Sequence, residues 1–226
     1  MISPSPAVED YLKTVYDISR MEDTVTTSAL AERLDVSPAS VTGMVKKLAE
    51  MNLVAHERYR GVTLTPAGKR IAIEVIRHHR LVETYLHQAL GVPWDKVHDE
   101  AEKWEHVLSE DLEARMDAAL GHPTNDPHGS PIPTASLEFN EPDWPPLARM
   151  DEGQQAVVAE VSDDDPDLLR YIGKLGLYPG TGLKVTSAAP YADGPVTVRV
   201  LDGEHSGEEH AVGHRAAAHL FVKDIS

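Results

Sequence analysis

Apolar residues recur at three- and four-residue steps near the start of the chain. Val8, Leu12, Val15 and Ile18 share one face, which predicts an amphipathic helix over 7–21. Leu30 and Leu34 predict a short helix from Ser28 to Leu34, capped by Thr26 or Thr27. Ser37-Pro38 opens another helix through Val41, Met44, Val45 and Leu48 to Met51, since Ser caps well and Pro suits the first helical position. Leu53-Val54-Ala55 and Val62-Thr63-Leu64 then read as strands around a turn at Arg60-Gly61. Thr65-Pro66 starts a long helix to about Gly91, and Pro93-Trp94 restarts helix from about 95 to 120. Prolines crowd residues 121–147, which read as loop and linker. Beyond Gln154 the pattern turns to strands: Ala156–Val161, Gly182–Thr186, Val196–Val200 and Leu220–Val222, with a short helix from Asp167 to Gly176.

The chain has 226 residues, which suits several small units better than one large one. It contains no cysteine, which excludes disulfides, thiolate metal sites and cysteine catalysis. No apolar run reaches the length of a membrane span, and no secretory signal opens the chain, so a cytoplasmic protein without membrane contact is expected. The net charge is −16, unevenly spread. Residues 1–75 hold nine Lys/Arg against ten Asp/Glu, whereas residues 76–226 hold 12 against 27. An acidic surface repels a polyanion, so only the N-terminal third can dock nucleic acid, while the remainder prefers cations.

The order helix, turn, helix, two-stranded hairpin over 1–73 is that of a winged helix-turn-helix. The second of these helices would enter the major groove by its N-terminal end. The candidate DNA-facing residues are Thr27, Ser28, Ser37, Pro38, Ala39, Ser40, Thr42 and Gly43, with Lys46, Lys47, Arg58 and Arg60 for phosphates. Small residues at the reading end lack the bidentate contacts that discriminate bases strongly, so shape and phosphate contacts should dominate.

A second constellation follows. His79 and Glu83 stand four apart, and His98, Glu102, Glu105 and His106 repeat three- and four-residue spacings that place them on one helical face. One such pair is an ordinary surface contact. Six residues with three or more crowded carboxylates call for a cation, and mixed imidazole and carboxylate donors suit manganese, iron(II), cobalt or zinc. A metallohydrolase would need an open coordination position and a general base; a matching pair of Glu-x-x-His motifs, His-Glu-x-x-His, Gly-x-Ser-x-Gly and phosphate loops are absent, so no enzyme is expected. Two other readings stay open: a metal buffer without DNA function, and a regulator whose acidic cluster is only structural.

The stretch Lys96-Val97-His98-Asp99-Glu100-Ala101-Glu102-Lys103-Trp104-Glu105-His106-Val107 resembles the signature of the diphtheria toxin repressor family, iron- or manganese-dependent transcriptional repressors. His78-His79-Arg80-Leu81-Val82-Glu83, Asp10-Tyr11-Leu12-Lys13-Thr14-Val15-Tyr16, Ala31-Glu32-Arg33-Leu34 and Leu64-Thr65-Pro66-Ala67-Gly68 resemble it too. The resemblance covers essentially the whole chain. It implies an α+β chain: a winged-helix domain at 1–73, an all-helical dimerisation and metal-binding domain at 74–140, a linker at 141–150, and a small SH3-like or FeoA-like barrel at 151–226. It also implies a homodimer on palindromic operator DNA, with one or two dimers per operator.

Carried over by position, a primary metal site falls on Asp10, Glu102, Glu105 and His106. An ancillary site falls on His79, Glu83, His98, Glu160 and Asp163. Iron-sensing members carry Met and Cys where this chain has Asp10 and Glu102. Hard carboxylates in their place favour Mn(II), with Fe(II) the alternative and Co(II), Ni(II) or Zn(II) compatible in vitro. Lys13 stands where short manganese members use Glu, so a closely spaced two-metal cluster is not expected. Gly43 replaces the base-reading Gln of iron regulators. Of the remaining histidines, His205, His210, His214 and His219 read as solvated loop residues, and His122 and His128 as linker residues that bind nothing. The run Asp163-Asp164-Asp165 with Asp167 reads as an acidic turn capping the next helix.

Overall fold

The computed structural model describes residues 4–22, 24–57, 61–189 and 193–225. Its contacts divide the chain into two compact units. One comprises Met1–His79, Trp104–Ser109 and Pro133–Phe139, the other Arg80–Lys103, Glu110–Ile132 and Asn140–Ser226.

In the first unit, α1 (Pro6–Met21) starts with Pro at its first position and buries Val8, Leu12, Val15 and Ile18, the stripe that the spacing predicts. Helix α2 (Thr27–Arg33) is capped by Thr26, whose hydroxyl accepts from Ala29 N at 3.0 Å. Helix α3 (Pro38–Glu50) is capped in the same way by Ser37, which accepts from Ser40 N at 3.2 Å. Asp35 (φ 50°) carries the turn between them and Asn52 (φ 57°) ends α3. Short polar side chains tolerate this left-handed backbone better than branched ones. Strands β1 (Val54–Glu57) and β2 (Gly61–Leu64) pair antiparallel from Val54–Leu64 to Glu57–Gly61 and form the wing. Arg58 and Arg60 lie outside the described residues. The three helices and the wing share one core, with Leu12, Val15, Leu30, Val41, Leu48 and Val62 fully buried.

Helix α4 (Pro66–Leu90) contributes residues to both units. Thr65 anchors its start, donating to Asn52 O at 2.8 Å and accepting from Gly68 N at 3.1 Å. The single helix expected from 95 to 120 is two: α5 (Val97–Trp104) and α6 (Glu110–Ala119). The chain turns between them, Val107 N donating to Trp104 O at 3.1 Å. Ser109 followed by Glu110, Asp111 and Glu113 is a strong helix start, because carboxylates in a first turn favour the positive end of the helix dipole. Glu105 and His106 are therefore turn residues and do not continue the helical face of His98 and Glu102.

The second unit contains the C-terminal sheet. Strands β3 (Gln155–Val161), β4 (Gly182–Ala188), β5 (Val196–Val200), β6 (Glu209–Val212) and β7 (Leu220–Asp224) make a five-stranded antiparallel sheet ordered β6-β5-β4-β3-β7. Helix α7 (Pro166–Lys174) follows β3, and the short α8 (His214–Ala218) precedes β7. Strand β6 escapes the pattern because it is an edge strand with only Val212 buried. The core under the sheet holds Leu169, Ile172, Leu183, Val185, Val198 and Val222, and also Trp94, Leu147 and Met150.

A Cβ at position 68 would collide with the backbone carbonyl of Leu53. Gly68→Ala should therefore lower the stability of the first unit by about 1–3 kcal/mol, the usual cost of overpacking, despite the better helix propensity of Ala. Urea unfolding followed by circular dichroism checks this; an unchanged midpoint would mean that the start of α4 shifts freely.

Candidate metal centres and nucleic-acid interface

In the first unit, α1 and the 105–106 turn converge on one cluster. Asp10 Oδ1 lies 2.8 Å from His106 Nε2, and Glu105 Oε1 lies 3.5 Å from the same nitrogen. One donor atom from each residue falls within 4.8 Å of the others. Glu9, absent from the sequence-based site, contacts the other ring nitrogen at 2.6 Å. Each ring nitrogen of His106 thus faces a carboxylate, Nδ1 toward Glu9 and Nε2 toward Asp10, which fixes the orientation of the ring. Glu9 was legible only as the neighbour of Asp10; its role depends on a residue 97 positions away.

Glu105 is buried and already has cationic company. Lys13 Nζ donates to both of its oxygens, at 3.1 and 2.9 Å, and lies 3.2 Å from His79 Nδ1. His79 Nδ1 pairs with Glu105 as well. Burial raises the Glu105 pKa, but His79 and Lys13 outweigh it and hold the carboxyl below its ordinary value. His79, expected in the ancillary set, is thus engaged with Glu105 in its own unit.

The second unit holds a deeper cluster. Glu83 on α4, His98 on α5 and Asp163 after β3 come together, with His98 Nδ1 at 3.5 Å from Glu83 and 3.3 Å from Asp163. Glu102 belongs to this unit, its carboxylate 3.8 Å from His98 Nε2. Glu160 is turned to Ser130, whose hydroxyl donates to it at 2.9 Å. Asp165, not Asp163, caps α7, accepting from Asp167 N at 2.9 Å.

Two further residues join from the proline-rich stretch: Asp126 and His128, both buried. His128 does not behave as a solvated linker residue, which corrects the reading of 121–147 at this point. Asp126 Oδ1 accepts from His128 N at 2.8 Å and Ser130 N at 3.0 Å, closing a tight turn. Val161 N donates to His128 O at 2.9 Å and stitches that turn to β3. His128 Nε2 donates to Trp94 O at 2.8 Å, which aims Nδ1 at Glu83 and Asp163, each 3.8 Å away. Among the described residues, Asp126 Oδ2 and His128 Nδ1 are buried without a hydrogen bond. The sequence read Asp126-Pro127-His128-Gly129 only as part of the proline-rich loop and linker, and nothing local marked its side chains for burial.

Electrostatics agree that this cluster wants positive charge. Burial disfavours charged histidine, yet Asp163 and Glu83 override it and push His98 up to about 11. The same contest, with Glu83 and Asp126 prevailing, pushes His128 up to about 9. Burial and the neighbouring Glu83 push Asp126 up to about 7. Donors around one divalent ion, at bonds of about 2.1 Å, stand roughly 3 Å apart. The separations in both clusters are near that value, and two buried donor atoms lack hydrogen bonds, so the residues fit a divalent cation bound by oxygen and nitrogen.

The interface expected for DNA is open. On α3, Val41, Val45 and Leu48 are buried, whereas Pro38, Ala39, Ser40, Thr42, Gly43, Lys46 and Lys47 are exposed, as are Ser28 and Ser37; Thr27 is partly buried. Thr42 donates its hydroxyl to Pro38 O at 2.8 Å, and the Ser37 and Ser40 hydroxyls face each other at 2.9 Å. These local bonds compete with base contacts.

A winged helix joined to buried clusters of hard donors defines a class: a DNA-binding fold with built-in cation centres. Residues 5–62 match the family of the iron dependent repressor N-terminal DNA binding domain, and residues 65–134 that of its metal binding and dimerisation domain. Residues 146–224 match the FeoA domain. The chain is 35% identical over 219 residues to the iron-dependent repressor IdeR of Mycobacterium tuberculosis, covering 91% of this chain and 94% of that one. It is 38% identical over 125 residues to the diphtheria toxin repressor of Corynebacterium diphtheriae, 55% of each chain. A solved manganese-dependent transcriptional repressor in complex with manganese is similar at TM-score 0.89 and 39% identity, over 96% of this chain and all of that one. ScaR with bound Cd2+ is similar at TM-score 0.81 and 30% identity, over 98% of this chain. The chain belongs to the iron-dependent repressor family of metal-dependent transcriptional regulators.

Lys13→Met should leave Glu105 buried with only the imidazoles of His79 and His106 beside it and cost about 3 kcal/mol at neutral pH. Glu105 titrates lower in the folded chain than in the unfolded one, so its stabilisation is complete above the ordinary carboxylate range and is lost as pH falls through it. The gap between wild type and variant should therefore narrow in acid. Thermal unfolding across pH reads this; a pH-independent gap would assign the loss to packing of the lysine stem.

Proposed function

We propose that this chain is a Mn(II)-responsive repressor, not an enzyme, that binds palindromic operator DNA as a homodimer in the cytoplasm. The observation that carries the reading is the position of Asp10. Its carboxylate lies 2.8 Å from His106 Nε2, while its helix buries Val8, Leu12 and Val15 in the core shared with α2 and α3. A cluster built on Asp10 therefore acts directly on the element that carries the reading helix.

Without a cation, Glu9, Asp10 and Glu105 bring like charge together, which loosens α1 against the 105–106 turn. A bound divalent ion adds positive charge beyond that of Lys13 and the imidazoles. Asp10, Glu105 and His106 Nε2 then share one centre, Glu9 keeps the His106 ring oriented, and Lys13 holds the far side of Glu105. Fixing Asp10 fixes α1, and through the common core it fixes α3. This is a population shift, limited by the difference in affinity between the loose and the fixed state.

The proposed primary set is Asp10, Glu102, Glu105 and His106. The proposed ancillary set is Glu83, His98 and Asp163 with Asp126 and His128, and with His79 one turn earlier on α4. Hard donors support Mn(II): no thiolate exists in the chain, and Asp10 and Glu102 are carboxylates. Likeness to manganese-dependent repressors supports it too. Fe(II) is the second reading, favoured by the iron-dependent relatives. The proposed domains are 1–73, 74–140 and 151–226 with a linker at 141–150; family matches over 5–62, 65–134 and 146–224 support the division into three. Exposed Lys46 and Lys47 serve phosphates, and direct base readout is modest.

The reading is tested by selecting an operator from random DNA with Mn(II), anaerobic Fe(II), Zn(II) or chelator present. Binding should need metal, with Mn(II) effective at the lowest free concentration; binding in chelator would overturn the switch. Asp10→Ala should abolish metal-dependent operator binding and leave a folded dimer by sedimentation, whereas unchanged operator affinity would remove Asp10 from the switch. Glu102→Cys should move the metal ranking toward iron and later ions, read by the same binding titration. An unmoved ranking would show that donor hardness at 102 does not select the ion.

A further inference from the structure

The C-terminal sheet carries a third set of donors, apart from both clusters above. The chain from β5 to β6 is closed by its own backbone. Leu201 N donates to Gly182 O and Gly207 N to Val200 O, both at 2.8 Å, and Glu208 N donates to His205 O at 3.0 Å. The Ser206 hydroxyl adds a bond to Leu201 O at 3.0 Å. His205 and Glu208 are thus held three residues apart on a braced turn, and His210 follows on edge strand β6, paired with Val198.

The three side chains converge. His205 Nδ1 lies 3.0 Å from Glu208 Oε2, and His210 Nε2 lies 3.2 Å from the same oxygen. One donor atom from each falls within 4.8 Å of the others. His210 Nε2 is buried yet makes no hydrogen bond among the described residues. The His205 ring packs against Gly176 (φ 70°), where a Cβ would collide with it, so the ring is backed by the end of α7. His214 and His219, read with these two as one loop group, stand elsewhere; His219 Nδ1 faces the Ser162 hydroxyl at 3.2 Å.

An exposed Glu bridging two surface histidines explains the short contacts. It does not account for three donor atoms held within 4.8 Å of one another on a turn preformed by backbone bonds and backed at Gly176. Two imidazoles and one carboxylate leave an open position for water and suit borderline ions. With one carboxylate where the other clusters have several, this set ranks Zn(II), Ni(II) and Co(II) above Mn(II).

We propose that His205, Glu208 and His210 form a third metal site, taking a borderline divalent ion such as Zn(II). An ion there fastens the β5–β6 turn to the edge strand. The site is independent of the switch at Asp10.

The test uses the full chain, stripped with chelator and dialysed against Zn(II). The double variant His205→Ala/His210→Ala should hold one Zn(II) fewer per chain than wild type by elemental analysis. Its Mn(II)-dependent operator binding should be unchanged. Glu208→Gln, in an exposed turn, should weaken the last Zn(II) equivalent on the order of tenfold. In wild type, the imidazole proton resonances of His205 and His210 should shift on Zn(II) addition, which decides the matter even if the double variant misfolds. Equal zinc content in wild type and variant, or unmoved His205 and His210 resonances, would overturn the site.

Discussion

The buried carboxylate of Glu105 is the constraint on which the first unit turns. Removing a carboxylate from water is costly unless cations and hydrogen bonds replace the solvent. Lys13 from α1 and His79 from α4 supply that replacement, and the neighbouring His106 reaches Asp10 and Glu9. A short turn, the first helix and the long helix are held by one charge. The same concentration of charge makes the unit responsive: a centre balanced by one lysine and two imidazoles is altered by any further cation.

The second unit solves a related problem differently. Glu83, Asp126 and Asp163 crowd His98 and His128, with Arg80 Nε 3.8 Å from Asp126. The imbalance drives both histidines toward the charged form. Lacking cysteine, the chain has only oxygen and nitrogen to offer a metal at these centres, apart from thioether sulfur. The family to which it belongs regulates transcription through metals.

Helix α3 shows how little of an interface is decided by the helix alone. Its polar residues were readable as a DNA-facing set, and the structure exposes nearly all of them. Yet the hydroxyls of Ser37, Ser40 and Thr42 are spent on the cap and the first turn. Side chains that stabilise the start of the helix compete with those that would read bases, which favours recognition by shape and phosphate.

What the sequence by itself determined is what local rules govern. The buried stripe of α1, the Thr26 and Ser37 caps, the wing and four of the five sheet strands follow from periodicity and capping within a few residues of each site. Asp10 was expected from resemblance alone, and Glu105 and His106 from spacing and resemblance. Spacing read Glu105 and His106 as helix, where the local start of a new helix at Ser109-Glu110-Asp111 makes them a turn; the rest was decided by tertiary packing. It alone brought Glu9 to His106 across 97 positions, and turned Asp126 and His128 inward from a stretch that reads as linker. Helices and turns are set by neighbours in sequence. Ligand clusters are set by which distant side chains packing brings within about 3 Å of one point, and no local pattern encodes that distance.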